Sequence, residues 1–146
     1  MNFHKQRYLH DPENGIYGDC MRTAVACIMD LELDDVPHFL EGNPAGTEFN
    51  RRVNSFLASK GKQIFSVPFA ADRLDILLDS LGHQNPDAIY MLSGESSRGV
   101  NHVVICRGGE VIHDPHPSNS GLIGPCSPDG YYWVEILTDK HEVPAL

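Results

Sequence analysis

Two short apolar segments separated by a pair of glycines constrain the folding of this chain most strongly. The segment 102–106 is followed by Gly108-Gly109 and then by the segment 110–113. Runs of this length around glycines are typical of two antiparallel strands joined by a tight turn. The sequence therefore predicts a β-hairpin. His102 opens the first strand and Asp114 closes the second, so the hairpin is expected to bring these two side chains together.

A cysteine far upstream lies at the predicted start of a buried helix. Apolar residues recur at helical spacing within 20–30, and Asp19 is a residue type that commonly caps a helix N-terminus. The helix dipole stabilises a thiolate at that end of a helix. We expect the Asp19 carboxylate to turn to backbone amides, which would leave Cys20 as a candidate nucleophile.

Cys20, His102 and Asp114 are residue types that together support nucleophilic catalysis. A neutral thiol is a poor nucleophile, but an imidazole can accept its proton. A carboxylate beside the imidazole can orient it and stabilise the imidazolium that forms. The predicted helix and hairpin carry these three residues on elements that suit such a site.

Three segments, Gly18-Asp19-Cys20, Asn101-His102-Val103-Val104 and Asp114-Pro115, resemble the papain-like cysteine peptidase superfamily. They are most similar to its bacteriocin-processing peptidase branch, in which an Asp-Cys pair opens the first helix, a His opens a strand and an Asp-Pro ends the next. The resemblance implies an α+β, papain-like fold. In such a fold an N-terminal helical half carries the Cys helix and packs on a mostly antiparallel β-sheet, which carries the His and the Asp.

The same resemblance implies roles for individual residues. Cys20 would be the nucleophile, His102 the general base and acid, and Asp114 the residue that orients the histidine. The family usually has a glutamine six residues before the nucleophile, whose amide stabilises the oxyanion, and this chain has Asn14 there. Gln6, further upstream, is the second candidate. The identity of this amide matters because a lost oxyanion donor costs about 10²–10³ in rate.

The rest of the chain is predicted to complete one domain, 1–146. With 146 residues, 41% of them hydrophobic, the chain has enough apolar material for one core. Apolar periodicity and Gly or Pro breaks predict a helical turn at 33–40, a helix capped by Thr47 and ended by Gly61, a helix at 72–81, and strands at 64–67, 88–92 and 131–137. The polar segment 93–99 is expected to be a mobile loop at the rim of the cleft.

Composition restricts the partners of the protein. Twenty acidic and 11 basic residues give a net charge of −9, which disfavours nonspecific nucleic-acid binding and favours a neutral or cationic substrate. The chain shows neither an apolar run of about 18 residues nor a charged-then-apolar leader, so we expect a cytoplasmic protein with no membrane contact. Its four cysteines lack paired spacing and are expected to be reduced.

Several of these residues also have purely structural interpretations. A free cysteine is most often a small buried residue, which is our expectation for Cys27, and an aspartate before proline commonly initiates a turn. Arg22 is expected either to reach solvent at the cleft or to pair with an acidic residue. Trp133 is expected to be a core or surface neighbour in its strand and not a substrate platform.

His113, Asp114 and His116 carry ligand types that suit zinc or iron. His113 and Asp114 are expected to point to opposite faces of a strand, and no ligand pair stands at a known motif spacing. We therefore predict no metal and no cofactor.

The sequence predicts a cysteine-dependent hydrolase that cleaves an amide, peptide or isopeptide bond in a peptide, protein or small amide substrate. An acyl or peptidyl transferase would use the same three residues, with an amine in place of water. A non-catalytic papain-like binding module and a metal-dependent hydrolase are the remaining alternatives.

Overall fold

The computed structural model describes residues 1–145 and shows a mixed α+β fold. Three α-helices and five strands lie within these residues: α1 (Cys20–Ile28), α2 (Gly46–Ser59), β1 (Lys62–Phe69), α3 (Leu74–Gln84), β2 (Ile89–Glu95), β3 (Asn101–Arg107), β4 (Glu110–His113) and β5 (Tyr132–Asp139). Two short 3₁₀ turns precede α2, at Pro12–Asn14 and Leu33–Asp35. The expected α+β class is thus confirmed. No helix of residues 1–145 has the length and apolar character needed to cross a membrane.

The five strands form one antiparallel sheet in the order β1-β5-β2-β3-β4. β5 therefore lies between two strands that come long before it in the chain. Its register places Glu135 opposite Ser66 of β1 and Trp133 opposite Ser93 of β2. Because opposite residues of an antiparallel pair share a face, and so do residues two apart in a strand, these four side chains lie on one face of the sheet.

Helices cover both faces of the sheet. The apolar sides of α1 and α2 pack on one face, where the buried residues include Val25, Leu57, Met91 and Ile105. Leucines of α3 pack on the other face with Tyr90, Leu92, Val104 and Tyr132. Consecutive residues of β2 alternate between the two clusters, as the period of a strand requires. The candidate site lies on the α1 and α2 side.

The predicted hairpin is present, and its turn packs against α3. β3 pairs with β4, with Arg107 opposite Glu110. Gly108 has a φ of 55°, and a side chain there would collide with the carbonyl of Pro86. Gly82 also lies against the backbone of Gly109, with no room for a side chain. Gly82 is therefore a close-packing residue inside α3, which extends to Gln84, beyond the predicted bounds 72–81.

Other boundaries differ from the predictions. β2 extends to Glu95, so the predicted loop 93–99 is reduced to a tight turn in which Ser96 is fully buried and bonded to the backbone of Val100. α2 begins one residue before Thr47 and has no side-chain cap, and only Leu33–Asp35 of the segment 33–40 is helical. β2 is longer than predicted because Ser93 and Gly94 pair with β3. The local sequence does not reveal this pairing partner.

Candidate active site

Cys20 is the first residue of α1, and the preceding Asp19 anchors this end of the helix. Asp19 is fully buried but makes no side-chain cap, contrary to its predicted capping role. Its Oδ1 accepts the backbone N–H of Tyr8 at 2.9 Å, so the carboxylate turns to an amide of another segment. The helix start is stabilised instead by Thr23, whose N–H and hydroxyl both donate to the Asp19 carbonyl, at 3.0 and 2.8 Å.

Arg22, one turn into α1, is buried and fully paired. Its guanidinium lies 3.5 Å from the Asp19 carboxylate and 3.7 Å from that of Asp34. Its Nε also donates to the carbonyl oxygens of Leu33 and Val36, at 3.0 and 2.8 Å. Of the two expectations for Arg22, the structure shows the acidic pairing. These bonds fix the N-terminal turn of α1 and, with it, the position of Cys20.

His102 and Asp114 are brought together by the β3–β4 hairpin. The imidazole Nε2 lies 2.6 Å from Asp114 Oδ1, and both side chains are buried. The carboxylate also accepts the backbone N–H groups of His116 and Gly121, each at 2.8 Å. Burial raises the pKa of Asp114, but the bonds from His102 and from the two amides lower it by more. The net pKa is therefore well below the ordinary value.

The imidazole of His102 interacts with Cys20 as well as with Asp114. Burial lowers the pKa of His102, but hydrogen bonding and charge interactions with Asp114 and Cys20 outweigh this effect and raise it to about 9. Because Nε2 is bound to Asp114, Nδ1 is the ring nitrogen left for exchange of a proton with the thiol. The structure thus brings the predicted Cys20, His102 and Asp114 into one cluster.

An N-terminal segment, residues 4–8, connects the two halves of this cluster. It donates hydrogen bonds from Lys5 Nζ to Asp114 O (2.7 Å), from Gln6 N to Pro115 O (2.9 Å) and from Tyr8 N to Asp19 Oδ1 (2.9 Å). Sequence reasoning did not identify this role, because the segment has neither a regular pattern nor a secondary-structure element of its own. The only sign of this segment in the sequence is that residues before position 11 show neither helical nor strand periodicity.

The two candidates for the oxyanion amide lie in different environments. Gln6 is buried, its Nε2 donates to Tyr8 O at 2.7 Å, and this amide lies against Gly18, two residues before Cys20. Asn14 is exposed in a 3₁₀ turn, and its amide donates to Asp11 at 2.7 Å. The structure therefore brings Gln6, and not Asn14, toward the cluster.

A cavity of about 430 Å³ opens beside Cys20 and His102. Its apolar lining includes Met21, Phe39, Leu40, Phe49 and Trp133. Trp133 was predicted to be only a strand neighbour, but its place opposite Ser93 turns it into the cavity, where Asp129 accepts its indole N–H at 2.9 Å. A mainly apolar cavity beside reactive groups is the usual form of a site for a small or peptidic ligand.

The four cysteines are free thiols that differ in accessibility. Cys20 is partly exposed, whereas Cys27, Cys106 and Cys126 are buried. Burial raises the pKa of Cys27 and raises those of Cys106 and Cys126 to about 12 and about 11. The core position expected for Cys27 is confirmed. Cys20 is therefore the thiol best placed to react with a molecule in the cavity.

The residues considered as metal ligands have other contacts. His113 Nε2 donates to His4 O at 2.6 Å, and Asp114 is bound to His102. Within residues 1–145, no group of three or more His, Cys, Asp or Glu side chains is arranged to hold a metal ion.

Comparison with known proteins adds no assignment to these observations. No protein-family model, no curated protein sequence and no solved structure matches the chain. The interpretation of the site therefore depends on the geometry of its own residues.

Proposed function

We propose that this protein is a papain-like, cysteine-dependent hydrolase of an amide, peptide or isopeptide bond. The observation that carries the proposal is the cluster of Cys20, His102 and Asp114 at the edge of an apolar cavity. A partly exposed thiol at a helix N-terminus faces a buried imidazole, and a buried carboxylate holds the other ring nitrogen of that imidazole. These are the relations that a nucleophile, a base and an orienting group require.

The proposed reaction has two halves that pass through a thioester. In the first, Cys20 Sγ attacks the carbonyl carbon, and the proton held at His102 Nδ1 passes to the leaving amine as the C–N bond breaks. In the second, His102 takes a proton from water, the hydroxide attacks the thioester, and the C–S bond breaks. The acid is released, and the proton on His102 restores the starting state of the pair. Asp114 stays ionised throughout, which its lowered pKa favours.

Two N–H groups near Cys20 are available for the oxyanion. The backbone N–H of Cys20 lies in the first turn of α1, where backbone donors have no partner within the helix. The buried amide of Gln6 lies beside Gly18 and is the better placed of the two side-chain candidates. Donors fixed before the substrate arrives stabilise the developing charge without reorganisation.

The test is alkylation by iodoacetamide between pH 5 and 9, with the modified cysteine identified by peptide mapping. We expect Cys20 to be labelled much faster than the three buried thiols at low pH, and His102→Ala to remove this difference. His83→Ala, which changes an exposed histidine of α3, is the matched control and should label like the wild type.

Screening of peptide amides then follows on the same preparations. Labelling of Cys20 no faster than that of Cys27 or Cys106 in the wild type would contradict the proposal. A non-catalytic binding module would then be the better interpretation of the cavity.

A further inference from the structure

The cavity contains a carboxylate that the proposed reaction does not use. Glu135 lines it from β5, an interior strand of the sheet between β1 and β2. Its Oε2 accepts the hydroxyl of Ser66 from β1 at 3.0 Å, and its Oε1 accepts the hydroxyl of Ser93 from β2 at 3.1 Å. Both neighbouring strands therefore orient the carboxylate. Because each carboxylate oxygen can accept about two hydrogen bonds, acceptor capacity remains on the cavity side.

Among residues 1–145, Glu135 has no cationic partner. It takes part in none of the ion pairs among residues 1–145. Arg22, which also lines the cavity, is already bound to Asp19, Asp34 and two carbonyl oxygens. His102 is bound to Asp114. Arg22 and His102 thus interact with other groups, and both hydrogen-bond donors to the Glu135 carboxylate are hydroxyl groups.

This arrangement lowers the free energy of unfolding of the protein when no ligand is bound. Burial raises the pKa of Glu135, and the two serine hydroxyls lower it in part. A carboxylate in an apolar cavity loses hydration that hydroxyl groups only partly replace. Glutamate is also disfavoured in the interior of a strand. A cation that enters the cavity would give the Glu135 carboxylate the charge interaction that the hydroxyl groups do not provide.

We infer that Glu135 is a specificity-determining residue that binds a cationic group of the substrate, an ammonium or a guanidinium. This inference rests on the proposed function, because it names the substrate class of the same cavity. Trp133, two residues away on the same face, offers an aromatic surface for the cation and its alkyl chain. The net charge of −9 favours the approach of such a substrate.

The first test compares two reagents that modify Cys20 and differ in charge. Both 2-aminoethyl methanethiosulfonate, a cation, and methyl methanethiosulfonate, which is neutral, transfer their sulfenyl group to a thiolate and release methanesulfinate. Rates at Cys20, resolved by mass mapping, give a cation-to-neutral ratio. We expect Glu135→Gln to lower this ratio by about 10-fold, as for the loss of one charged hydrogen bond. An unchanged ratio would overturn the inference.

Glu110→Gln is the matched control. Glu110 is an exposed glutamate of β4 that does not line this cavity, and its replacement should keep the wild-type ratio. A decrease in both variants would show a general effect of net charge and would count against a specific site.

The second test uses the wild type alone and does not depend on the reactivity of Cys20. Calorimetry measures the binding of protonated benzylamine, of phenylguanidinium and of benzyl alcohol, a neutral ligand of similar shape. We expect the cations to bind at least about 10-fold more tightly than the alcohol, and their relative affinities distinguish ammonium from guanidinium. Equal affinities for all three would refute the cation site. Cation binding with an inert Cys20 would instead leave the site standing and remove the hydrolase proposal.

Discussion

The two walls of the cavity differ in how they hold charged side chains. On the helical wall, the charge of Arg22 is neutralised by Asp19 and Asp34 and by backbone carbonyls. On the sheet wall, Glu135 is held by two hydroxyl groups and by no cation. A buried charge with an ionic partner can maintain a fold, whereas a partly buried charge without one lowers stability. This difference supports a structural role for the first wall and the proposed ligand-binding role for the second.

The largest loss of stability is expected from removing the cation of the helical wall. Arg22→Ala leaves the buried carboxylate of Asp19 without its cation, and removal of one partner from a buried pair costs about 3–5 kcal/mol. Urea unfolding followed by circular dichroism measures this loss. Arg51→Ala is the control, because Arg51 pairs with Glu48 at 2.7 Å on the exposed side of α2, and exposed pairs contribute about 0–1 kcal/mol. Equal losses for the two variants would contradict the structural role of Arg22.

A second variant pair examines the amide beside the helical wall. Gln6→Ala should lower kcat/KM for a peptidyl 4-nitroanilide by about 10²–10³, the usual effect of losing an oxyanion donor. Asn14→Ala removes an exposed amide that is bound to Asp11, and we expect no change in rate. Thermal unfolding of both variants separates a loss of rate from a loss of structure. A greater loss of rate in Asn14→Ala would reverse the assignment.

The smallest expected effect concerns the pair that lies between the walls. The pKa of His102 in the folded protein, about 9, exceeds the unfolded value of about 6.5, so its stabilisation is complete below pH 6.5 and disappears as the pH rises through 9. The pKa of Asp114 is lowered, so its stabilisation exists above about pH 4 and is lost on acidification.

Urea unfolding at several pH values tests this expectation. Relative to His102→Ala, the wild type should lose up to about 3 kcal/mol of unfolding free energy between pH 6.5 and 9. Cys20→Ser should show a smaller decrease, because Cys20 contributes to the raised pKa of His102. A difference that does not depend on pH would mean that the ion pair adds no stability.

Local sequence patterns were sufficient for the elements that carry the cluster. The glycine pair and its apolar flanks predicted the β3–β4 hairpin, and helical spacing predicted that α1 begins at Cys20. Both features arise from interactions between residues close in the chain. The expectation that Cys20, His102 and Asp114 converge followed from them and from the resemblance to a known superfamily.

The long-range features of the site could not be predicted in this way. The family spacing before Cys20 points to Asn14, but the 3₁₀ turn at Pro12–Asn14 projects this side chain into solvent, while Gln6 approaches through tertiary contacts of the N-terminal segment. Trp133 and Glu135 were not identified, because strand alternation cannot reveal that β5 enters between β1 and β2. Asp19 matched a capping pattern, but the amide of a distant residue takes its carboxylate.

The position of β5 between β1 and β2 also sets the order in which the sheet can be completed. β5 is synthesised after the other four strands, yet β1 and β2 have no other neighbour on the sides that it fills. Until it emerges from the ribosome, those two edges are open and the cavity lacks the wall that carries Glu135. Pairing over such sequence distances is slow, and open edges favour aggregation. A nascent chain would therefore carry the Cys20 thiol well before the cavity has its sheet wall, and this wall forms only once β5 has joined β1 and β2.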